Sequence, residues 1–134
     1  MRSSLLTGML ATMALVNTVG AATSTCPSIQ AIKQTAMING GYRYEASQPD
    51  GRAWTGENPL AAASYLNDST FHDARYDANN KTVTCTYKGP MNNDASFSVA
   101  LKPVSAWNLI PPIGEWKGTY CEGLSISMCS FAHQ

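Results

Sequence analysis

Two stretches of the chain alternate apolar and polar residues with a period of two. Thr82-Val83-Thr84-Cys85-Thr86-Tyr87 is the first, and Ser96-Phe97-Ser98-Val99-Ala100-Leu101 is the second. Both are rich in β-branched and aromatic residues, so both predict half-buried strands. Val83, Cys85 and Tyr87 share one face, as do Phe97, Val99 and Leu101. A short polar loop, Gly89-Pro90-Met91-Asn92-Asn93-Asp94, separates the runs, which pair most simply as antiparallel neighbours. Pro103 ends the second run.

The remaining signals are weaker. Ile29, Ile32 and Ala36 fall at helical spacing and predict a short helix within 28–37, broken by Asn39-Gly40-Gly41. Tyr42 to Ala46 predicts a strand with Tyr42, Tyr44 and Ala46 on one face. Gln48-Pro49-Asp50-Gly51 is a turn, and Arg52 to Gly56 returns as a strand centred on Trp54. Pro59 to Leu66 predicts one or two helical turns, with proline tolerated at the start. Phe71 to Asp77 predicts a strand of imperfect alternation, followed by an Ala78-Asn79-Asn80 turn. Pro111-Pro112-Ile113-Gly114 predicts an irregular crossing, and Leu124 to Met128 a last strand. Short connections favour a meander. The expected fold is mostly β: one small antiparallel sheet or sandwich of five or six strands, with one or two short helices, over a single core.

The first segment has a different pattern. Arg2 precedes an apolar run from Leu5 to Val16, and Val19-Gly20-Ala21 supplies small residues where a signal peptidase reads. The run is short and carries Thr7, Thr12 and Asn17, which disfavours a membrane anchor. Residues 1–21 therefore read as a cleaved signal, with cutting after Ala21 or Ala22, and 22–134 as one domain. The expected location is periplasmic or secreted, with no membrane contact by the mature chain.

All four cysteines, Cys26, Cys85, Cys121 and Cys129, lie in the mature part. An even count in a short exported chain predicts a disulfide framework. A zinc site needs tight cysteine pairs such as C-x2-C, and the closest pair here is C-x7-C. Parity points Cys85 into the core, and Glu122-Gly123 permits a fold-back that joins Cys121 to Cys129. Cys26 then pairs with Cys85. The rival pairing ties Cys85 to Cys121 or Cys129.

Composition narrows the function. Nine basic and nine acidic side chains give a net charge of zero, and loss of Arg2 with the signal makes it eight against nine, or −1. Only 13% of residues are charged, against about 25% in an average protein. This excludes a phosphate-backbone binder, which needs a basic patch, and a polybasic membrane-surface protein. At 44% hydrophobic the chain is not disordered.

Catalytic constellations are sparse. His133 is penultimate and predicted to fray, and His72, in Phe71-His72-Asp73, reads first as a strand-edge side chain facing water and second as half of a dyad or metal site. No G-x-S-x-G context, phosphate loop or dinucleotide fingerprint occurs. Glu45, Glu57, Asp73, Asp77, Glu115 and Glu122 are available for carboxylate catalysis, but no spacing pairs any two of them. Trp54, Trp107 and Trp116, together with Tyr42, Tyr44 and Tyr120, serve either as core filling or as exposed rings for a sugar or a partner surface. Asn67-Asp68-Ser69 and Asn80-Lys81-Thr82 match the N-glycosylation pattern. No cofactor is expected.

Several residues in order carry a resemblance: Cys26-Pro27, Tyr44-Glu45-Ala46, Trp54-Thr55-Gly56, Phe71-His72-Asp73-Ala74, Val83-Thr84-Cys85-Thr86-Tyr87, Trp116, Cys121 and Cys129-Ser130-Phe131. The order resembles a family of small exported gammaproteobacterial proteins of unknown function. The resemblance implies export and a disulfide-bearing domain, and it assigns no catalytic residue. The expected function is a non-enzymatic binding or interaction domain for a protein or glycan partner, with Trp54, Trp107 and Trp116 as candidate binding residues. A small secreted carboxylate hydrolase acting on glycans and an inhibitor or immunity-type protein are the alternatives.

Overall fold

A computed structural model describes residues 22–134. The signal-peptide reading of residues 1–21 lies outside this range. Among the described residues ten strands form, all in antiparallel pairs. They are β1 (Ala22–Ser24), β2 (Lys33–Ala36), β3 (Tyr42–Ala46), β4 (Trp54–Asn58), β5 (Thr70–Asp77), β6 (Thr82–Lys88), β7 (Ser96–Leu101), β8 (Trp116–Lys117), β9 (Tyr120–Glu122) and β10 (Phe131–His133). One short helix, α1 (Tyr65–Asp68), lies between β4 and β5.

Eight strands make one sheet in the order β2-β3-β4-β7-β6-β5-β9-β8. It is two meanders joined edge to edge, β2-β3-β4 and β5-β6-β7, with the β8–β9 hairpin added along β5. The simple meander expected from short connections is therefore corrected. Residues 59–69 carry the chain across, so that β7 rather than β5 meets β4. The seam is narrow, with Thr55 opposite Ala100 as its register pair. β1 and β10 form a separate two-stranded clasp in which Ala22 pairs with His133.

The two alternating runs pair as the pattern predicts: Val83 with Leu101, Cys85 with Val99, and Tyr87 with Phe97. All six side chains are buried. Tyr44, Phe97 and Tyr87 form a continuous stack across β3, β7 and β6, with centroid spacings of 4.1 and 5.0 Å. The Tyr87 hydroxyl donates to Pro27 O at 2.6 Å. Burial pushes this phenol far above its ordinary range, so it stays a neutral donor. Cys26 bonds to Cys85 and Cys121 to Cys129, with Cα separations of 5.9 and 5.8 Å, inside the range a disulfide requires.

Several expectations are corrected. The helix expected within 28–37 is a single 3-10 turn, Ile29–Ala31, followed by β2. The Gly40-Gly41 turn, with φ of 107° and 76°, returns the chain so that β2 pairs with β3, and the ladder overrides a helical spacing that buries only Ile32. The strand expected over Leu124–Met128 is a loop entering a 3-10 turn, Ile126–Cys129. A disulfide across eight positions makes the chain double back, and a tight helical turn does this where an extended strand cannot. Five or six strands become ten because β1, β2, β8, β9 and β10 are two to four residues long, too short for periodicity to register. The helical turn expected over 59–66 sits later, at α1. His133 does not fray. It is 5% exposed within β10, and its Nε2 lies 3.5 Å from Asp50 Oδ2 in the 48–51 turn.

Candidate functional site

The imperfect alternation of Phe71 to Asp77 has a structural cause. Phe71 pairs with Tyr87 and Asp73 with Thr86, so His72 is an extra residue, a β-bulge. Bulges re-aim a side chain, and they concentrate at sheet edges and functional sites. Beyond the bulge, Ala74 faces the core opposite Cys85, which places Asp73 and Arg75 on the outer face. There Asp73 lies opposite Glu122 of β9, and Arg75 opposite Tyr120.

A polar cluster results. His72 Nδ1 lies 2.6 Å from Asp73 Oδ2, so Nδ1–H donates to that carboxylate. His72 Nε2 lies 3.7 Å from Glu122 Oε2. The Tyr120 hydroxyl donates to Glu122 Oε1 at 3.1 Å, and the Arg75 guanidinium sits 5.3 Å from the Tyr120 ring centroid. Arg75 Nη2 reaches Asp73 Oδ1 at 3.8 Å. Desolvation first, then the nearby Asp73 charge and the bond to Glu122, raise the Tyr120 hydroxyl above its ordinary range, which keeps it a donor. Asp73 is buried although it lies on the outer face, covered by this cluster.

Beside the cluster opens a cleft of about 680 Å³. Thr70, Phe71 and His72 form one wall, Lys88 and Gly89 border it, and Glu115, Lys117, Glu122, Leu124 and Met128 close the other side. Leu124 is 93% exposed on its rim. The second wall is held by the Cys121–Cys129 disulfide and by the Glu115 N–H donating to Met128 O at 3.0 Å.

The sequence-derived candidates separate on this geometry. Trp54 and Trp116 are buried, and the Trp116 indole N–H donates to Ser130 O at 2.8 Å. Trp107 is half-buried, stacked on Tyr76 at 4.7 Å and edge-on to Trp116 at 5.2 Å. These rings fill the core and its margin, so the reading of Trp54 and Trp116 as ligand-facing is corrected: in each the ring faces inward from its strand. Glu45 and Glu57 are exposed on β3 and β4, with Glu57 paired to Arg43 at 3.1 Å. Asp77 accepts from the Asn79 and Asn80 backbone at 2.9 and 3.2 Å, which makes it a turn residue. Only Glu115 and Glu122 share the cleft. His72, first read as a side chain facing water, is held between two carboxylates and lines the cleft. Leu124 and the lysines escaped notice because only their position in the fold gathers them. The interrupted alternation at His72 was the one signal of the site present in the sequence. No group of histidine, cysteine, aspartate and glutamate suited to a metal ion occurs among the described residues.

Comparison with protein-family models, curated proteins and solved structures finds no match for this chain.

Proposed function

We propose that this chain is an exported, non-enzymatic binding domain of bacterial origin that takes its ligand in the cleft between β5 and the Glu115–Met128 wall. The observation that carries this reading is an open cleft whose second wall is fixed by a disulfide and presents Leu124 almost fully to solvent. Large apolar side chains rimmed by charge mark recognition surfaces. Asp73 orients His72 as it would a catalytic base, but Nε2 faces Glu122 rather than a nucleophile. The cleft lining carries one hydroxyl, Thr70, and no serine or cysteine nucleophile.

Export is tested directly. The exported protein is expected to start at Ala22 or Thr23 and to be lighter than the reduced chain by the hydrogens of two disulfides. A chain retaining Met1, or one with free thiols, overturns this. Binding is tested by recording amide NMR spectra of the labelled protein against a library of sugars, amino acids and small organic fragments. Shifts are expected at Thr70–His72 and Leu124, and Leu124→Asp should weaken the bound fragments about tenfold without lowering Tm. Fragments that all bind elsewhere, or none that bind, defeat the reading.

A glycan-hydrolase reading draws on one observation, that Glu115 and Glu122 line the same cleft. Glu122 already accepts the Tyr120 hydroxyl and faces His72, so its carboxylate is engaged within the cluster rather than free in the cleft. Turnover of a chitin or peptidoglycan fragment by the wild type, lost in Glu115→Gln, would establish this reading over the first.

A further inference from the structure

We propose that the cleft receives an extended peptide segment of a partner protein, added as a strand along the open end of β5. An apolar side chain of that segment would sit against Phe71, Leu124 and Met128, with an acidic residue beside it. The inference rests on the cleft being the ligand site, as proposed above.

The argument begins with the backbone. β6 pairs with β5 from Thr70 to Asp77, whereas β9 pairs with it only along Asp73–Arg75. Thr70 and Phe71 thus have a strand on one side and none on the other among the described residues. Successive residues of a strand direct their backbone groups alternately to its two sides. One of these two residues therefore presents N–H and C=O toward the cleft. Such an edge is a template for another chain, and main-chain bonds to it supply affinity in strand addition.

The reason β9 stops is visible. Its last backbone contact with β5 is the Gly123 N–H to His72 O at 3.4 Å, at the bulge. The chain then turns away into the 126–129 helical turn, where Gly123 packs against Met128. The lane that a longer β9 would fill is the cleft itself. Neighbouring strands lie about 4.8 Å apart, so an added strand would run in this lane, on the side of β5 that the Leu124 wall faces.

Side chains give the occupant its chemistry. Phe71, Leu124 and Met128 supply apolar contact. Lys88 and Lys117 also line the cleft, and neither forms an ion pair among the described residues. Glu122 is occupied by His72 and Tyr120, which leaves Glu115 as the unanswered carboxylate among the described cleft residues. Lys88 and Lys117 can each answer an acidic side chain, so one acidic residue is expected among the contacts of the segment. A glycan is the poorer fit, because Trp54 and Trp116 are packed inside, Trp107 is stacked on Tyr76, and no tryptophan or tyrosine lines the cleft among the described residues.

The test is selection from a random-peptide display library on the oxidised protein, followed by synthesis of the enriched peptides. The expected consensus places an apolar residue next to Asp or Glu, with no proline in the binding core. On binding, amide hydrogen exchange at Thr70–Phe71 should slow at least tenfold. Leu124→Asp and Lys117→Glu should each weaken binding about tenfold or more, while Lys33→Glu on the opposite sheet edge changes nothing. Peptides that bind without protecting Thr70–Phe71, or that tolerate both cleft variants, overturn the inference. If no peptide is enriched but a sugar or fragment binds the cleft, strand addition fails and the binding reading stands. If nothing binds there, both fail.

Discussion

Gly56→Ala is expected to destabilise the domain by more than about 3 kcal/mol, beyond the ordinary cost of an extra methyl in a packed interior. Gly56 lies on β4 where it passes β7, and a Cβ there would fall 1.8 Å from the carbonyl oxygen of Ser98 and 3.2 Å from Val99 Cα. Both are backbone atoms, so no side-chain rotation relieves the clash and the strands themselves must separate. This is the seam between the two meanders, with a single register pair at Thr55 and Ala100. It also carries the Asn58 side-chain amide donating to Ser96 O at 2.8 Å. Separation would disturb the Tyr44–Phe97 stack that crosses the same seam. Circular dichroism should record a fall in Tm of roughly 10–20 °C for a chain of this size. A fall under about 3 °C would show that β4 and β7 are not packed as described. Gly51→Ala is the matched comparison: it has φ of 82° but no atom near its absent Cβ, so only local strain is expected.

The second large effect concerns the Cys26–Cys85 disulfide. It closes a loop of 59 positions, and loop-closure entropy assigns it about 4 kcal/mol, against about 2–3 for Cys121–Cys129 across eight. A domain of this kind is stable by about 5–15 kcal/mol in total. The Cys26→Ala/Cys85→Ala double variant should therefore lose a large part of its stability in urea and open the core around Tyr87, whose hydroxyl is bound to the adjacent Pro27. The Cys121→Ala/Cys129→Ala variant should stay folded and lose ligand affinity, because its bond holds the cleft wall and not the central strands. Equal urea midpoints for the two variants, or a peptide map joining Cys85 to Cys121 or Cys129, would contradict this assignment.

The central strands were legible because their faces see different solvents. Val83, Cys85, Tyr87, Phe97, Val99 and Leu101 alternate with threonines, serines and Ala100, and only one register buries all six. The disulfide pairing rested on the same parity for Cys85 and on the Glu122-Gly123 turn for Cys121 and Cys129. Elements with no periodicity of their own were not legible. β8 has two residues, and Ala36 is exposed where a helical pattern required burial. His133 is buried because a partner from the far end of the chain meets it, which no local rule anticipates. The site divides in the same way. The bulge at His72 left a trace as broken alternation, whereas Glu115, Lys88 and Leu124 come together only because β9 docks on β5.

The β1–β10 clasp joins the first three described residues to the last few. The chain is synthesised from its amino end, so β1 emerges first and waits longest for its partner. Until residues 131–133 arrive, Ser24 has no ladder, although Ser24 and Phe131 are both buried in the finished fold. Completion of the clasp is thus tied to synthesis of residues 131–133. A product truncated before Phe131 would carry an unmatched strand at its amino end, an exposed edge that quality-control proteases or chaperones could recognise.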